Sequence, residues 1–227
     1  HDFDNLLHLV PLVQENVPLV YLGDDLEDDV EGLRFYLRHV FPETPRRKVD
    51  LLVRSTREPL LNEELGSARM IVVGGALTDP GVDRLKQLIT GGRTVLVVLT
   101  DETAGPMLAR LIGADRIEVG EAPADDYAIL GRIDFTHPLF APMADPGVND
   151  FSKIHFWHHR RVDLSQAPEV AVLAHFDDGD PALFEQRIGR GRLVVLTSGW
   201  HPADSQSARS SKFPPLLSRL LELSGVP

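Results

Sequence analysis

The sequence predicts an α/β fold with a doubly wound, mainly parallel sheet and an antiparallel β extension in its second half. Three observations carry that expectation. Residues 94–99 (Thr-Val-Leu-Val-Val-Leu) run almost unbroken and apolar from a Gly91-Gly92 helix stop into the acidic turn Thr100-Asp101-Glu102-Thr103-Ala104-Gly105. A strand apolar on both faces belongs inside a parallel sheet covered on two sides. Strand and helix patterns alternate four times before residue 115, the signature of right-handed βαβ crossovers. Beyond residue 116 the pattern changes to short strand-like runs joined by turn residues, which predicts paired antiparallel strands.

Taken in order, residues 1–16 read as an extended lead-in that packs Leu6, Leu7, Leu9 and Val10 against the body. Val17 to Gly23 reads as the first strand. Leu26, Val30, Leu33, Leu37, Val40 and Phe41 then recur at helical spacing, with Asp24 or Asp25 as cap and Pro42 as stop. Lys48 to Arg54 and Ala68 to Gly75 give strands two and three. Thr78-Asp79-Pro80 opens a helix whose buried side is Val82, Leu85, Leu88 and Ile89. The central strand follows, then a helix carrying Met107, Leu108, Leu111 and Ile112 that ends at Gly113.

The second half offers strand-like runs at Asp115 to Gly120, Tyr127 to Ile133, Ile154 to Val162, Val170 to Phe176, Leu183 to Ile188 and Leu193 to Thr197. Asp177-Asp178-Gly179-Asp180-Pro181 and Gly189-Arg190-Gly191 are turn chemistry between paired strands. The last of these strands is expected to rejoin the main sheet, before a closing helix with Leu216, Leu217, Leu220 and Leu221 on one side. No linker or repeat divides the chain. It therefore reads as one domain, 1–227, with a core of 17–115 and 192–224 and a β-rich extension of about 116–191.

Composition narrows the function. The 227 residues, 43% hydrophobic and 25% charged, suit an ordinary folded domain. A net charge of −11 repels phosphate backbones and anionic lipid surfaces, so neither nucleic acid nor direct membrane contact is expected. Zero cysteines remove disulfides, thiolate catalysis and thiolate metal sites together. No run approaches the ~18 continuous apolar residues of a membrane span. The first residue is His1 rather than methionine, and the chain reads as a piece of something longer.

The carboxyl ends of parallel strands are where ligands and nucleophiles are mounted in such sheets. A crevice there is expected to be bordered by Asp24, Asp25, Asp101, Glu102, Trp200 and His201. His201, with Asp204 and Ser205 near, could act as the base of a triad, with Thr100 the hydroxyl at the turn after the central strand. The packing alternative makes Trp200 and His201 structural residues of an inert crevice.

Three clusters invite a metal, and their spacing argues against each. On a strand, His155 and His159 lie four residues apart, roughly 13 Å, which no single zinc with ligands about 2 Å away can span. A half-buried aromatic strand with a basic, solvated partner face accounts better for residues 155–161. The cluster Asp177, Asp178, Asp180 and the cluster Asp24, Asp25, Glu27, Asp28, Asp29 both lack the calcium-loop pattern of an EF-hand, and read as a hairpin turn and a helix amino end. Gly189-x-Gly191 is too short for a dinucleotide fingerprint, and no phosphate-binding Gly-x-x-x-x-Gly-Lys loop exists. No metal and no cofactor are expected.

The four βα units, the turn after the fourth strand and the late strand leading into His201-Pro202 together resemble the class I glutamine amidotransferase-like, flavodoxin-like fold. In catalytic members that turn reads Gly-x-Cys-x-Gly and the late motif His-Pro-Glu. This chain has Asp101 or a neighbour in place of the cysteine and Ala203 in place of the glutamate, so the resemblance implies a member without the family's glutamine hydrolysis. A second resemblance rests on residues 127–135, 137–142, 155–161, 175–183, 198–202, 204–206 and 210–213. These are similar to the carboxy-terminal region of BatA-type, aerotolerance-regulator-like bacterial membrane proteins that also carry a von Willebrand factor A domain.

That second resemblance implies a membrane-anchored full-length protein with this domain outside the cytoplasm. Its partners would then be the von Willebrand factor A and membrane regions of the same polypeptide. The functional expectation is a non-catalytic module acting in protein interaction or structural support. The alternatives are a hydrolase of a small polar substrate using His201 with Thr100 or Ser205, or with a metal recruited by Asp101 and His201, and a sugar- or peptide-binding module in which Trp157 or Trp200 stands over a groove.

Overall fold

Residues 13–60, 62–122 and 126–225 are described by the computed structural model, so the expected packing of Leu6, Leu7, Leu9 and Val10 lies outside the described residues. The chain opens on β1 (Glu15–Leu22), followed by α1 (Leu33–His39), β2 (Arg47–Arg54), α2 (Asn62–Ser67), β3 (Met70–Val73), α3 (Asp79–Thr90), β4 (Thr94–Val98) and α4 (Gly105–Ile112). The second half contributes β5 (Val119–Glu121), β6 (Leu130–Ile133), β7 (Arg160–Val162), β8 (Ala171–Phe176), β9 (Pro181–Ile188), β10 (Gly191–Leu196) and α5 (Phe213–Leu223).

One eight-stranded sheet has the order β2-β1-β3-β4-β10-β9-β8-β6. Its first five strands are mutually parallel and its last three antiparallel. β5 and β7 form a separate antiparallel pair. The expected return of a late strand to the main sheet is therefore β10, which lies parallel beside β4. The order of the parallel part, with β1 inside and later strands growing the other way, is the doubly wound arrangement with its switch beside β1.

Alternation along the strands divides the core in two. Leu19, Tyr21, Met70, Val72, Leu96, Val98 and Val194 face α1 and α5. Their neighbours Val20, Leu22, Ile71, Val73, Val95, Val97 and Val195 face α3 and α4. Every residue of β3 and β4 is buried, as a strand covered on both faces must be. The period of two supplies two faces, and the apolar stripes Val82-Leu85-Ile89 of α3 and Leu217-Leu220-Leu221 of α5 close them. Gly113, at φ +88°, ends α4 in the left-handed turn that only glycine adopts freely.

Two expectations are corrected. The helix after β1 starts only at Leu33; Leu26 and Val30 are exposed despite their helical spacing. Aspartate side chains compete for backbone amides and disfavour helix interiors. Here Asp29 Oδ1 accepts the Glu31 amide at 3.0 Å, and Asp25 Oδ2 reaches the Arg34 amide at 2.8 Å, so Asp25 caps α1 from nine residues away. The run from Ile154 to Val162 is a strand only at Arg160–Val162; before it the chain is irregular, with Phe156 bridging Ala128 on one side and Ser205 on the other.

The β1 end shows how tightly this edge is filled. The Tyr21 hydroxyl donates to Asp25 Oδ1 at 2.9 Å, and burial together with that carboxylate holds its phenol well above the usual range. A Cβ on Gly74 would lie 2.5 Å from the hydroxyl oxygen, closer than real contacts permit. Gly74→Ala is therefore expected to destabilise the fold by about 1–3 kcal/mol. In a Tyr21→Phe background the same change costs less, and urea denaturation of the four-member cycle reads that coupling.

Candidate functional site

The site expected at the carboxyl ends of β4 and β10 is occupied by an arginine. Arg160 leads β7, and its backbone N–H donates to Thr197 O at 2.7 Å, just past β10. Its side chain, 6% exposed, then reaches across to the turn after β4. One terminal nitrogen donates to Leu99 O at 3.4 Å and to Asp204 Oδ1 at 3.1 Å, the other donates to Thr100 O, and Nε donates to Glu121 Oε1 at 2.9 Å. Ser198 adds a further tie, donating its hydroxyl to His158 O at 2.7 Å. A planar guanidinium has five donors in a fixed fork, and four of its acceptors here are fixed by three different chain segments. The expectation of a basic, solvated face at residues 160–161 holds for Arg161 and fails for Arg160.

Asp204 is the buried partner of that arginine. Burial raises its carboxyl above the ordinary carboxylate range, and the Arg160 charge pulls it back down. The backbone leaves little room beside it: a Cβ on Gly199 would lie 2.2 Å from Asp204 Oδ2. The carbonyl of Asp204 accepts the amides of Trp157 and His158 at 2.8 and 3.1 Å. One residue thus fixes the end of β10 to the strand that carries Arg160.

The predicted triad members lie in this neighbourhood without forming a relay. His201 Nδ1 accepts the Ala203 amide at 3.0 Å, inside its own turn. Ser205 is 1% exposed and donates to Gly199 O at 2.8 Å, with Ser207 Oγ at 2.7 Å. Among the described residues no hydrogen bond joins the His201 imidazole to the hydroxyl of Thr100 or Ser205; His201 and Ser205 meet only through the backbone, Ser205 N–H donating to His201 O at 3.0 Å. Thr100 takes part through its carbonyl, on Arg160.

The expected crevice residues are mostly structural. Asp101 Oδ1 accepts the Thr103 amide at 2.7 Å and the Thr103 hydroxyl, capping the short helical turn 102–104. Asp24 accepts the hydroxyls of Ser55 and Thr56 at 2.5 and 2.6 Å, which hold its carboxyl below the usual range. Asp25 is consumed by Tyr21 and the Arg34 amide. Trp200 is 1% exposed, donates Nε1–H to Leu33 O at 3.0 Å, and packs edge-on to Phe213. Trp200 is therefore core and borders no crevice. Glu102 faces a separate surface depression beside Ile117. The hollow at the Asp101 turn is only about 10 Å³.

Open space lies instead on the far side of residues 199–212. A polar cleft of about 470 Å³ is walled by half-buried Trp157 and edged by Lys153, Arg209 and Lys212. Of the two tryptophans proposed to stand over a groove, Trp157 does so.

The residues able to hold a metal are a third group. His159 Nε2 lies 3.2 Å from Asp178 Oδ2 and 3.3 Å from Asp180 Oδ2. In the sequence His159 and the two aspartates belong to separate constellations, neither with a metal-binding spacing of its own. The fold joins them, because the β8–β9 hairpin turn folds over the segment leading into β7. The only signal for this in the sequence was the polar character of both segments.

No protein-family model matches the sequence, and no curated protein matches it. Solved structures do match in three dimensions. A ThuA-like protein from Bacteroides uniformis superposes with a TM-score of 0.62 at 12% identity, over 98% of this chain and 95% of that one. A ThuA-like protein from Parabacteroides merdae gives 0.58 at 12% identity, over 92% and 90%. A β-galactosidase from Bacillus circulans gives 0.59 at 12% identity over 92% of this chain but 31% of its own, so the same fold occurs there inside a larger protein. ThuA-like proteins belong to the glutamine amidotransferase-like superfamily. At such identities the likeness concerns architecture: this chain shares the α/β fold of the ThuA-like structures.

Proposed function

We propose that this chain is a non-catalytic, amidotransferase-like module that acts through protein interaction or structural support. The observation that carries the reading is Arg160. At the sheet edge where an attacking group and its base would meet, a buried guanidinium binds the carbonyls of Leu99 and Thr100 and the carboxylate of Asp204. Asp101 stands at the turn as a helix cap, and a carboxylate spent on the Thr103 amide is a poor nucleophile. The hydrolase reading needs His201 against a hydroxyl. Ser205 is instead turned to Gly199 O and His201 to its own turn.

In the full-length protein the module would sit in a membrane-anchored polypeptide, outside the cytoplasm, beside a von Willebrand factor A domain. That placement rests on the motif resemblance at residues 127–213. Among the described residues no helix is long and apolar enough to cross a membrane, so any anchor would lie in other segments. The half-exposed Trp157 wall favours a second reading, in which the polar cleft receives an extended peptide segment of such a partner.

Two experiments test this. The purified domain is expected to be retained by the von Willebrand factor A and membrane-proximal regions of the full-length protein in a pull-down, with retention weakened by Trp157→Ala if the cleft is the contact. Turnover of a glutamine, ester or glycoside substrate that disappears in His201→Ala would overturn the reading. Arg160 itself is tested by stability. Arg160→Met leaves the Asp204 carboxylate buried without its cation and is expected to cost about 3–5 kcal/mol near neutral pH. Burial already raises the Asp204 carboxyl, and losing Arg160 raises it further. The deficit therefore shrinks as pH falls and Asp204 protonates, and Asp204→Asn in the same background recovers part of it. Chemical denaturation across the acid range measures both effects.

A further inference from the structure

We propose that His159, Asp178 and Asp180 form a binding site for one first-row divalent cation of the zinc type. One ligand atom from each of the three residues lies within 4.8 Å of the other two, and His159 Nε2 stands 3.2 Å from Asp178 Oδ2 and 3.3 Å from Asp180 Oδ2. Around a tetrahedral ion with ligands about 2.0–2.2 Å away, adjacent ligand atoms stand roughly 3.3–3.5 Å apart. Both histidine–carboxylate separations are thus already close to those of a bound ion. As hydrogen bonds the same separations, 3.2 and 3.3 Å, fall at the long end of the common range of about 2.7–3.2 Å.

The remaining oxygens are engaged in ways that orient the donors. Asp178 Oδ1 accepts the Asp180 amide at 2.9 Å, and Asp180 Oδ1 accepts Arg161 Nε at 3.1 Å. Each aspartate therefore presents Oδ2 toward the ring while its other oxygen is held. His159 is 1% exposed, its ring lies 4.1 Å from that of Phe176, and its Nδ1 has no hydrogen-bond partner. All of the polar contacts of this buried imidazole are on the Nε2 side, facing two carboxylates that one N–H cannot satisfy together. A cation takes a lone pair from all three. The Asp178 side chain is 36% exposed, which leaves a solvent-facing position for a water ligand.

The charge of the cluster and the groups that touch its ligands set the strength. Two carboxylates and Arg161 leave the cluster with one net negative charge when the ring is neutral, so a dication is electrostatically welcome. Arg161 Nε is also 2.9 Å from Asp180 Oδ2, and ion binding leaves that guanidinium on Oδ1 alone. Coordination through Nε2 puts the ring proton on Nδ1, where the usual acceptor for a ligating histidine is lacking. Such an acceptor is commonly worth about 10–100-fold in affinity, so the site binds more weakly than a fully supported one.

The test uses the chelator-stripped protein titrated with Zn²⁺ against a chromophoric chelator, and with Co²⁺ followed by visible absorption. One equivalent of saturable binding and Co²⁺ bands of tetrahedral intensity are expected. His159→Ala risks the fold, so the decisive variant is Asp178→Asn, which keeps the Oδ1 acceptor for the Asp180 amide. It is expected to lower affinity at least about tenfold and to leave the metal-free melting temperature unchanged. Absence of one-equivalent binding, or binding undiminished in Asp178→Asn, overturns the proposal.

Discussion

The arrangement of this sheet edge depends on a buried guanidinium. Arg160 touches the end of β4, the β5 strand through Glu121, and the turn after β10 through Asp204. Backbone carbonyls at the carboxyl ends of parallel strands need donors, and in many α/β proteins a ligand or water supplies them. Here a side chain does so permanently. The cost of burying the charge is offset by the carboxylates of Glu121 and Asp204 and the carbonyls of Leu99 and Thr100 that the fork reaches.

That constraint explains why the neighbouring polar residues are committed. Asp204 must stay close to Arg160, so Gly199 has no side chain. The loop from 199 to 205 folds onto itself, with His201 O accepting the amides of Asp204 and Ser205 at 2.8 and 3.0 Å. Trp200 is thereby driven inward onto α1 and α5, where its indole N–H finds Leu33 O. The usual site of chemistry in such a fold is filled, and the accessible polar surface moves outward to the Trp157 cleft and to the hairpin over His159.

Much of the architecture was legible in the residues. The unbroken apolar run at 94–99, the Gly113 stop and the stripes of α3 and α5 each follow from local periodicity, and all appear as read. The first helix departs from its periodicity because Leu26 and Val30 share its spacing while Asp25 and Asp29 take backbone amides and hold the chain in turns before Leu33. The site was less legible, because its contacts span long separations. Arg160 meets Glu121, Asp204, Thr100 and Leu99 at 39, 44, 60 and 61 residues' distance, and His159 meets Asp180 at 21. Neither pairing leaves a spacing motif, and a basic pair after two histidines reads equally well as a solvated face.

The most direct measurement is NMR of the arginine side-chain protons in the intact domain. A guanidinium held by Leu99, Thr100, Glu121 and Asp204 is expected to show a slowly exchanging Hε and separately resolved terminal protons for Arg160. Rapid exchange and a single averaged terminal signal, as for a solvated arginine, would contradict a sheet edge closed by this residue.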